Sequence, residues 1–251
     1  RSGHGPVDMT KAIAESCDVY FYDIAYRVGI DFMSSFLGEF GLGQPTGIDL
    51  AGELSGLMPS REWKRVNRNQ VWFHGETVIT GIGQGFMLAT PLQLAEATAT
   101  LANRGRRIKP HLLHAIGDGN SGQPPHKPIT LRSERYWDDV IEAMRQVVHS
   151  RTGTARSIGR GLEYQMASKT GTSQVVGIAQ DAKYDAETLA RYLHDHALFI
   201  AFAPIEAPEI ALAVVVEHGG SGSRVAAPIA RQVIDAYMEL KRADAERQPK
   251  T

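Results

Sequence analysis

The spacing of apolar residues changes character along this chain. From Met9 to Ala14 it is helical, with Asp8 placed to cap the first turn. The triplet Ser16-Cys17-Asp18 interrupts that pattern. A second helix is expected from about Val19, capped by Asp18, with Phe21, Ile24, Ala25 and Val28 at helical spacing and Gly29 as its stop. Ile30 to Phe40 predicts another short helix. Residues 43–78 are rich in Gly, Pro, Arg and Asn, show little periodicity, and read as a long irregular excursion. Residues 90–105, TPLQLAEATATLANRG, predict a helix with Thr90 as cap, Pro91 at the first helical position and Gly105 as stop. Residues 108–116 read as a strand, GDGNSGQPPHKP as a loop with no packed element, and Tyr136 to Val148 as an amphipathic helix.

Past residue 160 the pattern turns strand-like. Strands are expected at 164–176, 197–204 and 209–217, the last two joined as a hairpin by a short Pro-containing turn. DAETLARYLHDH, between the first and second, reads as a helical insertion, and Ala226 to Leu240 as a long amphipathic helix before a charged, frayed tail at 241–251. Helices followed by strands and a closing helix imply an α+β fold. It would be a mostly antiparallel sheet flanked by helices plus an all-helical lobe. The expected division is one domain over 1–240, with a helical lobe at about 1–150 and a sheet lobe at about 160–240.

Composition narrows the class. With 43% hydrophobic and 22% charged residues the chain is globular rather than disordered, and a formal net charge of −1 offers no global field for nucleic acid or an anionic membrane. The basic clusters Arg61–Arg68 and Arg104–Lys109 read as solvated faces. No apolar run approaches the ~18 residues of a membrane span. The single cysteine, Cys17, excludes an internal disulfide framework. The chain begins at Arg1 in loop-like sequence, so it is expected to be an N-terminally incomplete piece.

MASKTGTSQVV (166–176) is an unusual strand because Lys169 and Gly171 sit mid-segment. Alternation places those two on one face and Ser168, Thr170 and Thr172 on the other. A glycine there marks a close approach by a ligand or another backbone. A cation beside bare backbone suits an extended peptide: Lys169 attracts its carboxylate, and N–H groups on the strand edge, including one near Thr172, donate to it or to an oxyanion. Ser16 and Asp18 lie at a helix break, where side chains project into a cleft, although both are also ordinary capping residues.

A Ser-x-Asn-like triplet followed by Lys-Thr-Gly 153 residues later resembles the serine acyltransferases comprising penicillin-binding proteins and β-lactamases. GIGQGFMLATPLQLAEATATLANRGRRIKPHLL, SRTGTA and FIAFAP…EIALAVVVEHGG extend the resemblance over roughly residues 3–240. KAIAESCDVYFYDIA and WKR…GETVITGIGQG point to the rod-elongation branch of Gram-negative class B D,D-transpeptidases. The resemblance implies a peptidoglycan D,D-transpeptidase that cross-links stem peptides through a serine acyl-enzyme and binds β-lactams. It implies catalytic roles for Ser16, Asp18 and Lys169, and substrate contacts from Thr170, Gly171 and Thr172. It also implies a place on the periplasmic face of the bacterial inner membrane, beside a membrane glycan polymerase and elongation-complex scaffold proteins, with no nucleic-acid partner. A D,D-carboxypeptidase or β-lactamase-type hydrolase and a non-catalytic penicillin-sensing domain are the alternatives.

Two departures stand out. The family's Ser-x-x-Lys nucleophile motif is missing; the nearest approach is Ser60 with Lys64 four residues on. The reactive serine is therefore expected upstream, and the isolated chain is expected to be inactive. Asp18 stands where the wider family has Asn; an ionised carboxylate only accepts hydrogen bonds, so beside one or two lysines it is expected to be paired and to position the missing upstream lysine and Ser16. No cofactor is required by this chemistry. His4 and Cys17, flanking the first predicted helix, are a candidate half-site for a structural zinc, which the resemblance also suggests, against the plainer reading of a buried thiol and a loop imidazole. His194 and His196 around Asp195 read as exposed polar surface.

Overall fold

The computed structural model describes residues 3–113, 115–116, 119–120, 126–175 and 190–247. Helix α1 (Met9–Glu15) starts where the sequence places it, Asp8 Oδ1 accepting from the Lys11 N–H at 2.8 Å. Helix α2 (Asp18–Glu39) contains a kink at Gly29, whose φ of 77° separates the two expected helices. The cap of α2 is Cys17, not Asp18; Asp18 is the first helical residue and is exposed.

The excursion at 43–78 is more ordered than its composition suggests. It contains α3 (Arg61–Arg68) and α4 (His74–Thr80). These helices bury a cation rather than an apolar stripe. Lys64, only 1% exposed, pairs with Glu76, and its ammonium lies 4.7 Å from the centre of the Phe73 ring. Ser60 Oγ accepts from the Trp63 N–H at 3.0 Å, so the nearest approach to a Ser-x-x-Lys pair is spent on capping and packing. Further along, the buried Gln93 of α5 (Pro91–Ala102) donates to the carbonyls of Gln44 at 2.6 Å and Ser55 at 2.7 Å, fastening the excursion to that helix. Hydrophobic periodicity is blind to such bonds. Neither basic cluster is a purely solvated face, since Arg107 is also buried against Glu96.

Residues 108–113 are not a strand. Asp49 accepts from the backbone N–H groups of Leu112 and Leu113, at 2.6 and 2.7 Å, which satisfies them without a ladder. Only the tail of the expected strand pairs: β1 (Ala115–Ile116) meets β2 (Gly119–Asn120), which falls within the expected loop.

Helix α6 (Arg135–His149) leads to an antiparallel sheet of β3 (Ala167–Ser173), β4 (His196–Ala203) and β5 (Ile210–Val216), in the order β3-β4-β5. β4 is central, fully buried on one face and part-buried on the other until Phe202. Phe199 and Ala201 face the closing helix α7 (Ala227–Arg247), packing with Ala230 and Ile234, whereas Phe202 packs with Trp137, Ile141 and Met144 of α6. Helices thus cover one face of the sheet and α7 the other, as the α+β reading requires. α7 runs through the predicted tail to Arg247, braced by Arg242–Glu163 at 2.6 Å and Lys241–Glu209 at 3.3 Å. Asp195 is buried rather than exposed; its carbonyl accepts from the Gly220 N–H at 2.8 Å, and the His196 ring packs on that of His218. The first five residues of the expected helical insertion, 185–189, lie outside the described residues; the rest is no α-helix but a short 3-10 turn at Arg191–Leu193 that leads into β4 at His196.

Arg231 of α7 pins the loop before β3. Its Nη1 donates to the carbonyls of Ile158 at 2.7 Å and Arg160 at 2.5 Å, and its Nε to Asp235 at 3.0 Å. Arg231→Ala is expected to cost about 2 kcal/mol by stranding these acceptors, read as a lower urea midpoint. An unchanged midpoint would show that water replaces the guanidinium at no cost.

Candidate active site

The break after α1 depends on Ser16. Its left-handed backbone, φ 55° and ψ 62°, ends α1 and lets α2 start two residues later. Lys169 comes to the same place from β3, and its Nζ donates a hydrogen bond to Ser16 Oγ. A second bond from Nζ reaches the Thr170 carbonyl at 2.9 Å. Two residues 153 positions apart therefore share one hydrogen bond.

Burial lowers the Lys169 ammonium from its ordinary value to about 8, and the nearby Asp18 carboxylate partly opposes that drop. Asp18 forms no ion pair among the described residues and acts on Lys169 through space; the Ser-x-x-Lys lysine it is expected to position is not part of this chain. A lysine near 8 is still largely protonated at neutral pH yet can release its proton at small cost, as a proton donor and acceptor should.

The register pairs Lys169 with Ile200 and Thr170 with Phe199. Lys169 and Gly171 thus lie on the helical-lobe face, and Ser168, Thr170 and Thr172 on the α7 face, as alternation requires. β3 is an edge strand of its sheet. Its open side is engaged at one end by Gln84, whose Nε2 donates to the Thr172 carbonyl at 2.7 Å and whose Oε1 accepts from the Gln174 N–H at 3.4 Å. The N–H and C=O of one residue point the same way in an antiparallel strand, so the Thr172 N–H also faces this open side. The close approach at Gly171 is made by the protein's own backbone. A Cβ on Gly222 would fall 2.4 Å from the Gly171 oxygen, so the turn before α7 rides against β3 on its α7 face.

Sequence reasoning assigned no role to Gln84, Thr154 or Gly222. Thr154 Oγ1 lies 3.0 Å from Thr170 Oγ1, and its N–H donates to the Ala14 carbonyl at 3.1 Å, linking β3 to the end of α1. GIGQG, SRTGTA and EHGG mark the neighbourhood of all three in the sequence, but not the contacts. The described residues add no further ligand to the candidate half-site. Cys17 is buried and His4 exposed, and among the described residues no three metal-binding side chains gather. These residues do not by themselves fit a zinc ion.

Comparison with known proteins agrees with this geometry. The penicillin binding protein transpeptidase domain matches residues 1–235. The chain belongs to that family. Peptidoglycan D,D-transpeptidase MrdA of Haemophilus influenzae is 40% identical over 252 residues, covering 98% of this chain, and its counterpart in Acinetobacter baumannii is 45% identical over 243. The chain spans only 39% and 35% of those two relatives. Among solved structures, Pseudomonas aeruginosa PBP2 in complex with WCK 5153 superposes with a TM-score of 0.83 at 49% identity, over 92% of this chain and 49% of that one. The Helicobacter pylori PBP2–MreC complex gives 0.82 at 36% identity, over 95% of this chain and 41% of its match. The penicillin-binding transpeptidase fold is thus the fold of this chain.

Proposed function

We propose that this chain supplies two walls of a peptidoglycan D,D-transpeptidase site, which cross-links stem peptides through a serine acyl-enzyme and is trapped by β-lactams. The observation that carries this reading is the Lys169–Ser16 hydrogen bond at the open edge of β3. The reactive serine belongs to the part of the relatives that this chain does not span. An extended peptide docks along the β3 edge, with the Thr172 N–H facing the developing oxyanion and Lys169 near its carboxylate. Lys169 and Ser16 then pass a proton toward the leaving amine, and Asp18 helps keep Lys169 charged.

The complete protein should label covalently with fluorescent penicillin; no labelling would end the acyl-enzyme reading. Lys169 acts as an ammonium in this scheme. Acylation should fall as pH rises through about 8, where that proton is lost. A rate that climbs through the same range would overturn the acid role.

The same reading places the protein on the periplasmic face of the inner membrane, with a scaffold protein and a membrane glycan polymerase as partners; the solved PBP2–MreC complex supports the scaffold. Co-purification of the complete protein with membranes and an MreC-like scaffold tests this; a freely soluble, partnerless protein would refute it. A zinc at His4 and Cys17 would be structural and would need ligands from outside the described residues. Stoichiometric zinc in the complete protein is its test.

A further inference from the structure

Beyond the Ser16–Lys169 contact, one cleft gathers cations that the described structure leaves unneutralised. Its volume is about 490 Å³, and its walls include Thr154, Arg156, Ser157, Ser223, Arg224 and Pro228. Among the described residues, none that lines it is acidic. Arg156 donates to the Arg151 carbonyl at 2.7 Å, and among the described residues neither arginine forms an ion pair.

The walls are held in place. Arg231 grips the loop behind Arg156, the Thr154 N–H is bonded to Ala14, and Gly222 seats the turn that carries Ser223 and Arg224. Such anchoring suits a preformed site. The position is also specific. Thr154, in the lining, touches Thr170, so the cleft adjoins β3 on its α7 face, while Lys169 occupies the other. A peptide paired with the β3 edge turns successive side chains to opposite faces. When one residue points toward Ser16 and Lys169, its neighbour points toward the two arginines.

We propose that Arg156 and Arg224 form an anion subsite for a side-chain carboxylate of the docked peptide, with Ser157 and Ser223 as hydroxyl partners. The inference rests on the peptide-acylation reading above and adds a substrate requirement: an acidic residue, among the two that precede the D-Ala-D-Ala end, whose side chain turns to the face opposite Ser16 and Lys169. Guanidinium groups match carboxylates with two parallel hydrogen bonds, and no described carboxylate in the cleft competes for them.

The test uses the complete protein and pairs of peptides ending in D-Ala-D-Ala. Within a pair, one of the two preceding residues carries either a carboxylate or its amide. Each peptide competes with fluorescent penicillin. At one of those two positions the wild type should prefer the carboxylate by about tenfold, and rising salt should erode the preference. The Arg156→Gln/Arg224→Gln variant should bring the ratio close to one, and Arg224→Glu should turn the preference toward a lysine-bearing peptide. Equal competition by acid and amide in the wild type, or a preference that survives the double variant, would overturn the subsite. Wild-type protein that takes no penicillin label would fail the underlying reading instead, so the two failures are distinguishable.

Discussion

Lys169→Ala in the complete protein is expected to slow acylation by penicillin or peptide by about a thousandfold, the scale of losing a positioned proton-transfer group. The variant removes the only described donor to Ser16 Oγ, so the hydroxyl loses its orientation as well as its proton source. Lys169→Arg should not rescue it. A guanidinium stays protonated above pH 12 and cannot give up a proton at neutral pH. Stability should move the other way. Folded Lys169 releases its proton near pH 8, whereas in the unfolded chain it holds it to about 10.5. Between those values the unfolded state binds more protons, so stability rises with pH through that window. Below it, the fold carries the cost of a charged, largely buried ammonium. Lys169→Met should therefore raise the melting temperature at pH 7 while acylation collapses. Loss of both together would mean that the lysine is structural.

Gly222→Ala is the second large effect. The added Cβ would lie 2.3 Å from the Leu198 oxygen and 2.4 Å from the Gly171 oxygen. Both acceptors belong to paired strands, so the turn must lift instead. We expect a loss of about 2–3 kcal/mol in unfolding free energy, the scale of an overpacked contact. We also expect acylation to fall about a hundredfold, because β3 and the turn can no longer hold their spacing. Wild-type urea stability with wild-type acylation would show that the turn does not locate β3.

The sheet was legible because β4 and β5 are near-continuous apolar runs joined at a proline turn, which few other structures satisfy. The kink at Gly29 was legible for a similar reason. Helices α3 and α4 were hidden because α3 buries Lys64, whose place depends on Glu76 and an aromatic ring rather than on spacing, and α4 buries two threonines, Thr77 and Thr80. Residues 108–113 alternate like a strand, but Asp49 takes two of their N–H groups, a contact 63 residues away that no local window detects. At the site, Lys169 and Gly171 stood out as chemically odd for a strand. Gln84 did not, because a glutamine in a glycine-rich loop carries no signal until the loop meets β3.

That glutamine also bears on solubility. An unpaired strand edge recruits peptides, and by the same physics it recruits copies of itself. The side-chain amide of Gln84 imitates a peptide unit at Thr172 and Gln174, closing the far end of the strand against a long partner. Among the described residues, the edge that stays open suits a short guest but gives little purchase to an adding chain.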